Sequence, residues 1–96
     1  MIEIRKTALA KSDLEDIWLH SFQEWGEAQA DTYHDHPTQV IEQLRHNPHL
    51  GKPCDHVQAG YRMVQAERHT IYYQLHDDHL MILRVLHERM DPTKHL

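Results

Sequence analysis

Residues 57–86 read "VQAGYRMVQ", "HTIYYQL" and "LMILRVL", three apolar runs separated by "AER" and "HDDH". Each run is rich in β-branched, aromatic and aliphatic residues, and each connection is short enough to be a hairpin. The pattern predicts a three-strand antiparallel meander. Strict alternation would put Ile71, Tyr73 and Leu75 on one face of the middle strand. On the last strand it would put Met81, Leu83 and Val85 on one face, and Leu80, Ile82, Arg84 and Leu86 on the other. Both faces of that strand are largely apolar, so it is expected to lie centrally or under cover.

Upstream the hydrophobic period is different. "MIEIRKT" alternates, with Ile2 and Ile4 on one face and Glu3 and Arg5 on the other, which predicts a short strand. In "SDLEDIWLHSFQEWG" the residues Leu14, Ile17, Trp18, Phe22 and Trp25 recur at helical spacing. Ser12 and Glu15 have capping-box spacing and mark a helix start, while Gly26 is placed to cap its end. The aromatic stripe Trp18, Phe22 and Trp25 is expected to pack as core or as a helix–helix seam. Ala30, Tyr33, Val40, Ile41 and Leu44 continue the helical period in a second stretch. Pro37 inside it removes an amide donor and predicts a kink or a break into two helices. Pro48, Gly51 and Pro53 in "NPHLGKP" end the helical region.

The predicted order is therefore a strand, a helical hairpin and a meander. One antiparallel-rich sheet with helices on one face satisfies it, an α+β fold in a single domain over residues 1–96. At 96 residues the chain folds with little reserve, burying about two-thirds of its unfolded surface.

Charge excludes some functions. There are 15 Asp and Glu against 10 Lys and Arg, a net charge of −5, so bulk cationic attraction to nucleic acid is not available. The 11 histidines would cancel that charge near pH 6. Cys54 is the sole cysteine, so no intrachain disulfide forms, in keeping with a reducing compartment and a structural thiol. No apolar run approaches the ~20 residues that cross a bilayer, and the start lacks a secretory apolar core, so a soluble intracellular protein is expected.

The histidines do not have metal-ligand spacing. His34 and His36 fall on different sides of a helix, His76 and His79 flank Asp77 and Asp78 in a tight turn, and there is no HExxH or cysteine pair. A solvated polar surface is expected, with no metal and no cofactor. Tyr72 and Tyr73 are adjacent on a strand and point to opposite faces. If the meander pairs, one of them joins Arg62, Arg68, His69, Arg84 and His87. Such a cluster suits phosphate or carboxylate recognition, general acid–base cleavage of RNA, or simply a solvated sheet face.

Four stretches, in order along nearly the whole chain, carry a resemblance: "SDLEDIWLHSFQEWGEAQADTY", "NPHLGKPCD", "YRMVQAERHTIYYQL" and "MILRVLHERMDPTKHL". Together they resemble the ParE toxins of bacterial toxin–antitoxin modules, within the wider RelE/ParE superfamily. The resemblance implies a cytoplasmic toxin that blocks DNA gyrase and is neutralised by a cognate antitoxin, with a ribbon-helix-helix, ParD-like partner expected. It implies a toxin–antitoxin hetero-oligomer in which DNA is bound by the antitoxin and not by the toxin alone. Arg62, Tyr72, Arg84, His87, Arg89 and Met90 are then candidates for gripping the target or a partner. Asp13, Glu15, Asp16, Glu24 and Glu27 are candidates to face a basic antitoxin segment.

The alternative within the superfamily is a ribosome-dependent mRNA endonuclease. It would use Arg62 and Arg84 to stabilise developing phosphate charge and His69 or His87 as acid or base. Against it, the last tyrosine is Tyr73, the basic pair often found before the sheet is reduced to Lys52, and the chain is acidic. A third reading is a harmless antitoxin-binding remnant.

Overall fold

The computed structural model describes the backbone of residues 1–96 and the side chains of 1–28 and 36–96, so the Ala30, Tyr33 and His34 side chains lie outside the described residues. Strand β1 (Glu3–Lys6) leads into helices α1 (Ala8–Trp25) and α2 (Glu27–His46). Strands β2 (Lys52–Pro53), β3 (Tyr61–Ala66), β4 (His69–Leu75) and β5 (His79–His87) follow, then a short helix α3 (Pro92–His95). The sheet order is β1-β5-β4-β3-β2, with β1 parallel to β5 and the other pairs antiparallel. The α+β architecture is that of the sequence pattern. The two-residue β2, laid against Arg62 and Met63 by the loop after α2, is an addition to it.

Helix α1 begins four residues before the predicted capping box. Thr7 Oγ1 accepts a hydrogen bond from Ala10 N at 3.0 Å and donates one to Leu83 O at 2.7 Å. Thr7 N also donates to Ile82 O. One threonine thus caps the helix and ties it to the sheet, leaving Ser12 inside the helix. Gly26, at φ +88°, closes α1 through its N–H to Phe22 O and is the only residue between the two helices. Helix α2 is not broken at Pro37; it runs on to His46, and the proline ring is fully buried. That burial offsets part of the lost hydrogen bond.

The main core lies between the helices and one sheet face. Ala10, Leu14 and Ile17 of α1 and Ile41 and Leu44 of α2 meet Ile71, Tyr73, Leu80, Ile82 and Val85. Trp18, Phe22 and Trp25 are not in this core. The buried stripe of α1 is Ala10, Leu14, Ile17 and Ser21, which turns Phe22 and Trp25 out to 44% and 56% exposure. On the other sheet face a smaller cluster of Cys54, Tyr72 and Leu86 is covered by Val57, Tyr61, Met63 and Leu96.

Strand β5 departs from strict alternation. Tyr73 faces Ile82 while Tyr72 faces Arg84, so Leu83 is an extra residue, a β-bulge. Beyond it the facing is exchanged. Val85 joins Leu80 and Ile82 on the helix side, and Leu86 joins the outer cluster. Met81, Leu83 and Val85 therefore do not share a face.

A knot of hydrogen bonds fixes the loop between α2 and β3. Tyr73 Oη accepts from Gly51 N at 3.0 Å and donates to Pro48 O at 2.9 Å. Arg62 Nη2 donates to Gly51 O at 2.6 Å, and its Nε lies 3.4 Å from the same tyrosine oxygen. A β-carbon on Gly51 would lie 2.6 Å from Met63 O and from Tyr73 Oη, so only glycine fits.

Candidate functional site

The bulge at Leu83 creates the seam on which the site is built. Strand β1 pairs with β5 only as far as Lys6↔Ile82, so no strand lies on that side of Val85. The α1 side chain of Asp13 fills the gap. Its Oδ2 accepts from Val85 N at 2.9 Å and from Arg84 Nε at 2.8 Å, and its Oδ1 accepts from Arg84 Nη2 at 2.9 Å. The two side chains are only 15% (Arg84) and 12% (Asp13) exposed, which makes this a bidentate, largely desolvated ion pair. The hydrogen bonds that Arg84 donates to Asp13 hold its guanidinium above its ordinary pKa. Arg84 also reaches round the strand edge, donating from Nη1 to His95 O. The C-terminal residues are thereby tied to α1 through one side chain.

Beside this seam is a groove of about 340 Å³ between α1 and the ends of β4 and β5. Ile17, Ser21 and Val85 form its base, and Trp25 and Met90 its apolar rim. Its polar lining comes from Asp13, Asp16 and His20 of α1, and from Arg68, His69 and His87 opposite. His69 and His87 face each other in the β4–β5 register, with rings edge to face and centroids 5.3 Å apart. Burial, and then the neighbouring His87, lower the pKa of His69 below its usual value. The groove is apolar below, polar at the lip and open along α1. It suits an amphipathic segment or an anchoring side chain better than a small polar molecule.

The candidate residues fall into separate places. His69, His87 and Met90 come together in the groove, with Arg84 behind its wall. Arg89 lies in the exposed turn between His87 and Met90. Tyr72 is buried on the opposite sheet face beside Cys54, and burial raises the pKa of its hydroxyl. Arg62 faces Tyr73, four residues along β4 from His69, and is held by the loop carbonyls of the Tyr73 knot. At ~3.3 Å per residue that is about 13 Å along the strand. Of the acidic candidates, Asp13 is engaged by Arg84 and Asp16 lines the groove. Glu24 and Glu27 are exposed near the helix junction, and Glu15 is exposed on a different side of α1 from Asp13 and Asp16. Among the described residues no three His, Cys, Asp or Glu side chains are placed to hold a metal ion. No helix among them is long and apolar enough to cross a membrane.

His20 and Ser21 were not among the candidates, and Trp25, whose aromatic stripe could form a ligand box, was expected in the core, yet all three line the groove. Their signal was legible as spacing. Asp13, Asp16 and His20 recur at helical intervals along one side of α1, next to the apolar stripe of Leu14, Ile17 and Ser21.

Known proteins match this chain closely. Residues 4–92 match the family model of the ParE toxin of type II toxin–antitoxin systems, parDE. A Toxin ParE1 from Caulobacter vibrioides is 37% identical over 92 residues, covering 96% of this chain and 95% of the relative. A Toxin ParE1 from Mycobacterium tuberculosis is 35% identical over 88 residues, covering 91% and 90%. Among solved structures, the chromosomal ParDE system of P. aeruginosa superposes with a TM-score of 0.79 at 21% identity, covering 91% of this chain and 96% of that one. The RelBE2 toxin–antitoxin complex of Mycobacterium tuberculosis gives 0.61 at 23% identity, covering 90% and 96%, a likeness of fold. The chain belongs to the ParE toxin family of type II toxin–antitoxin systems.

Proposed function

We propose that this chain is a cytoplasmic toxin that arrests growth by binding DNA gyrase, and that a ParD-like ribbon-helix-helix antitoxin neutralises it. In this reading the toxin is not an enzyme and binds no DNA by itself; DNA is bound by the antitoxin of the hetero-oligomer. The antitoxin lays an amphipathic segment into the groove beside α1, with an apolar anchor over Ile17 and Val85 and a basic residue near Asp16. Arg89, Met90 and the end of β5 form the edge that grips the target.

The observation that supports binding over RNA cleavage is the scatter of the four basic and histidine residues a ribonuclease would use. Arg62 is tied to the loop before β3, Arg84 is neutralised by Asp13, and only His69 and His87 are side by side. Phosphate cleavage needs acid, base and charge stabiliser within reach of one phosphate. The relatives named ParE toxins and the solved ParDE system support an antitoxin partner of the same kind.

Expression without the product of the adjacent reading frame should stop growth, and purified protein should inhibit supercoiling by gyrase. New mRNA ends at translated codons, with supercoiling untouched, would overturn the reading in favour of the endonuclease. Normal growth would leave only an antitoxin-binding remnant.

A further inference from the structure

We propose that the groove beside α1 is an acid-sensitive grip: it holds the antitoxin at neutral pH and releases it as its histidines gain charge. The inference rests on the reading above, in which that groove receives the antitoxin.

Three of the chain's histidines line this one groove. His69 and His87 come from facing positions on β4 and β5, and their rings touch edge to face. His20 faces them from α1, its ring edge to face with Trp25 at 6.5 Å. Among the described residues the other charged groups that face them are few. Asp13 and Asp16 come from α1, Arg68 from the β3–β4 turn, and Glu88 follows β5. Asp13 is paired with Arg84 and holds the Val85 amide as well, yet it still favours the charged form of His69. The formal balance of the rest is one negative charge while the histidines are neutral and two positive charges once all three are protonated.

A segment seated over Ile17, Val85 and Met90 removes water from the His69–His87 pair. Protonation then places two cations 5.3 Å apart under a cover with little solvent to screen them. Burial already favours the neutral form of His69 in the free chain, and covering the groove extends that preference. A ligand that favours the deprotonated form is weakened by protons to the same degree. A basic antitoxin residue near Asp16 would meet repulsion from the same change. The three effects have the same sign: acid favours release. Asp13, Asp16 and Glu88 oppose it, and a single histidine facing those carboxylates would not suffice; the facing pair is what tips the balance.

The test uses the complex obtained by co-expressing this chain with the product of the adjacent reading frame. Antitoxin affinity is measured at pH 7.5 and at pH 5.5, with the wild-type chain and with the double variant His69→Gln, His87→Gln. For each histidine that must stay neutral, affinity falls about tenfold one pH unit below its midpoint. The wild-type dissociation constant is therefore expected to rise about tenfold or more, and the double variant to lose most of that rise. The single variant His87→Gln, at a half-buried position near the strand end, covers the case in which the double variant folds poorly. His56→Gln, at an exposed position outside the groove, should keep the full response. A wild-type complex equally tight at both pH values overturns the grip and leaves the function reading standing, as does a double variant with the wild-type response. Absence of any complex at pH 7.5 overturns the function reading and the grip together.

Discussion

Asp13 and Arg84, 71 residues apart in sequence, form a bidentate pair in which the same carboxylate also holds the Val85 amide. The pair closes the edge that β1 leaves open, and it sets the position of α1 against β5, hence the width of the groove. Asp13→Ala leaves a guanidinium without its counter-charge and a backbone amide without an acceptor in a poorly solvated seam, and should destabilise the fold by about 3 kcal/mol. In a chain of this size that lowers the midpoint of thermal unfolding by roughly 10–20 °C. Asp13→Asn keeps an acceptor for the amide and should lose about half as much. Equal losses in a calorimetric scan would show that the neutral acceptor contributes nothing and that the charge carries the whole effect.

The Tyr73 knot is predicted to be structural. Tyr73→Phe removes the hydroxyl shared by Gly51 N, Pro48 O and Arg62, and should cost about 1–3 kcal/mol by urea unfolding. Gly51→Ala forces a methyl against Met63 O and Tyr73 and should cost at least as much. An Arg62→Ala chain that is less stable but still toxic per folded molecule would match the contacts of Arg62 with the loop.

Stability should fall as pH drops below neutrality, in part through His69. Its folded pKa lies below the unfolded value, so the unfolded chain takes the proton first. The contribution is complete above the ordinary histidine range of about 6.5 and is lost as pH falls from there to the lowered folded value. Thermal unfolding at pH 7.5 and 5.5 should show a smaller difference for His69→Gln than for the wild-type chain. An unchanged difference would assign the effect to other histidines.

The acidic residues of α1 should differ in their effect on antitoxin affinity. Asp16→Lys, in the groove, should weaken binding about tenfold, whereas Glu15→Lys, on another side of the helix, should leave it within a factor of two. Equal effects in a titration of the purified complex would place the antitoxin elsewhere.

Much of the fold was legible because hydrophobic period and turn chemistry agree. The two hairpin connections, the strand at Ile4 and the cap at Gly26 are local signals, and they lie where the pattern puts them. Three features were not legible, each for a tertiary reason. The Leu83 bulge is invisible to alternation, because Met81, Leu83 and Val85 read as one face until the β4 register is known. The helix start moved to Thr7 because its hydroxyl finds Leu83 O across the fold, which no local capping rule contains. Pro37 stays inside α2 because its ring is buried. For the site, the residue types of the sheet end were legible but their grouping was not. Arg62 and His87 look like neighbours in a basic sheet, and the register places them near opposite ends of it.

Strand β5 lies between β1 and β4, although residues 7–78 separate it from β1 along the chain. Strand β1 has no sheet partner, and the core under Leu14 and Ile41 lacks Leu80, Ile82 and Val85, until β5 is in place. The pairing of β1 with β5 is therefore a contact between segments far apart in sequence, and the sheet is complete only once it has formed. Any partner that recognises the β5 seam meets a surface that exists only once residues 79–87 have joined the sheet.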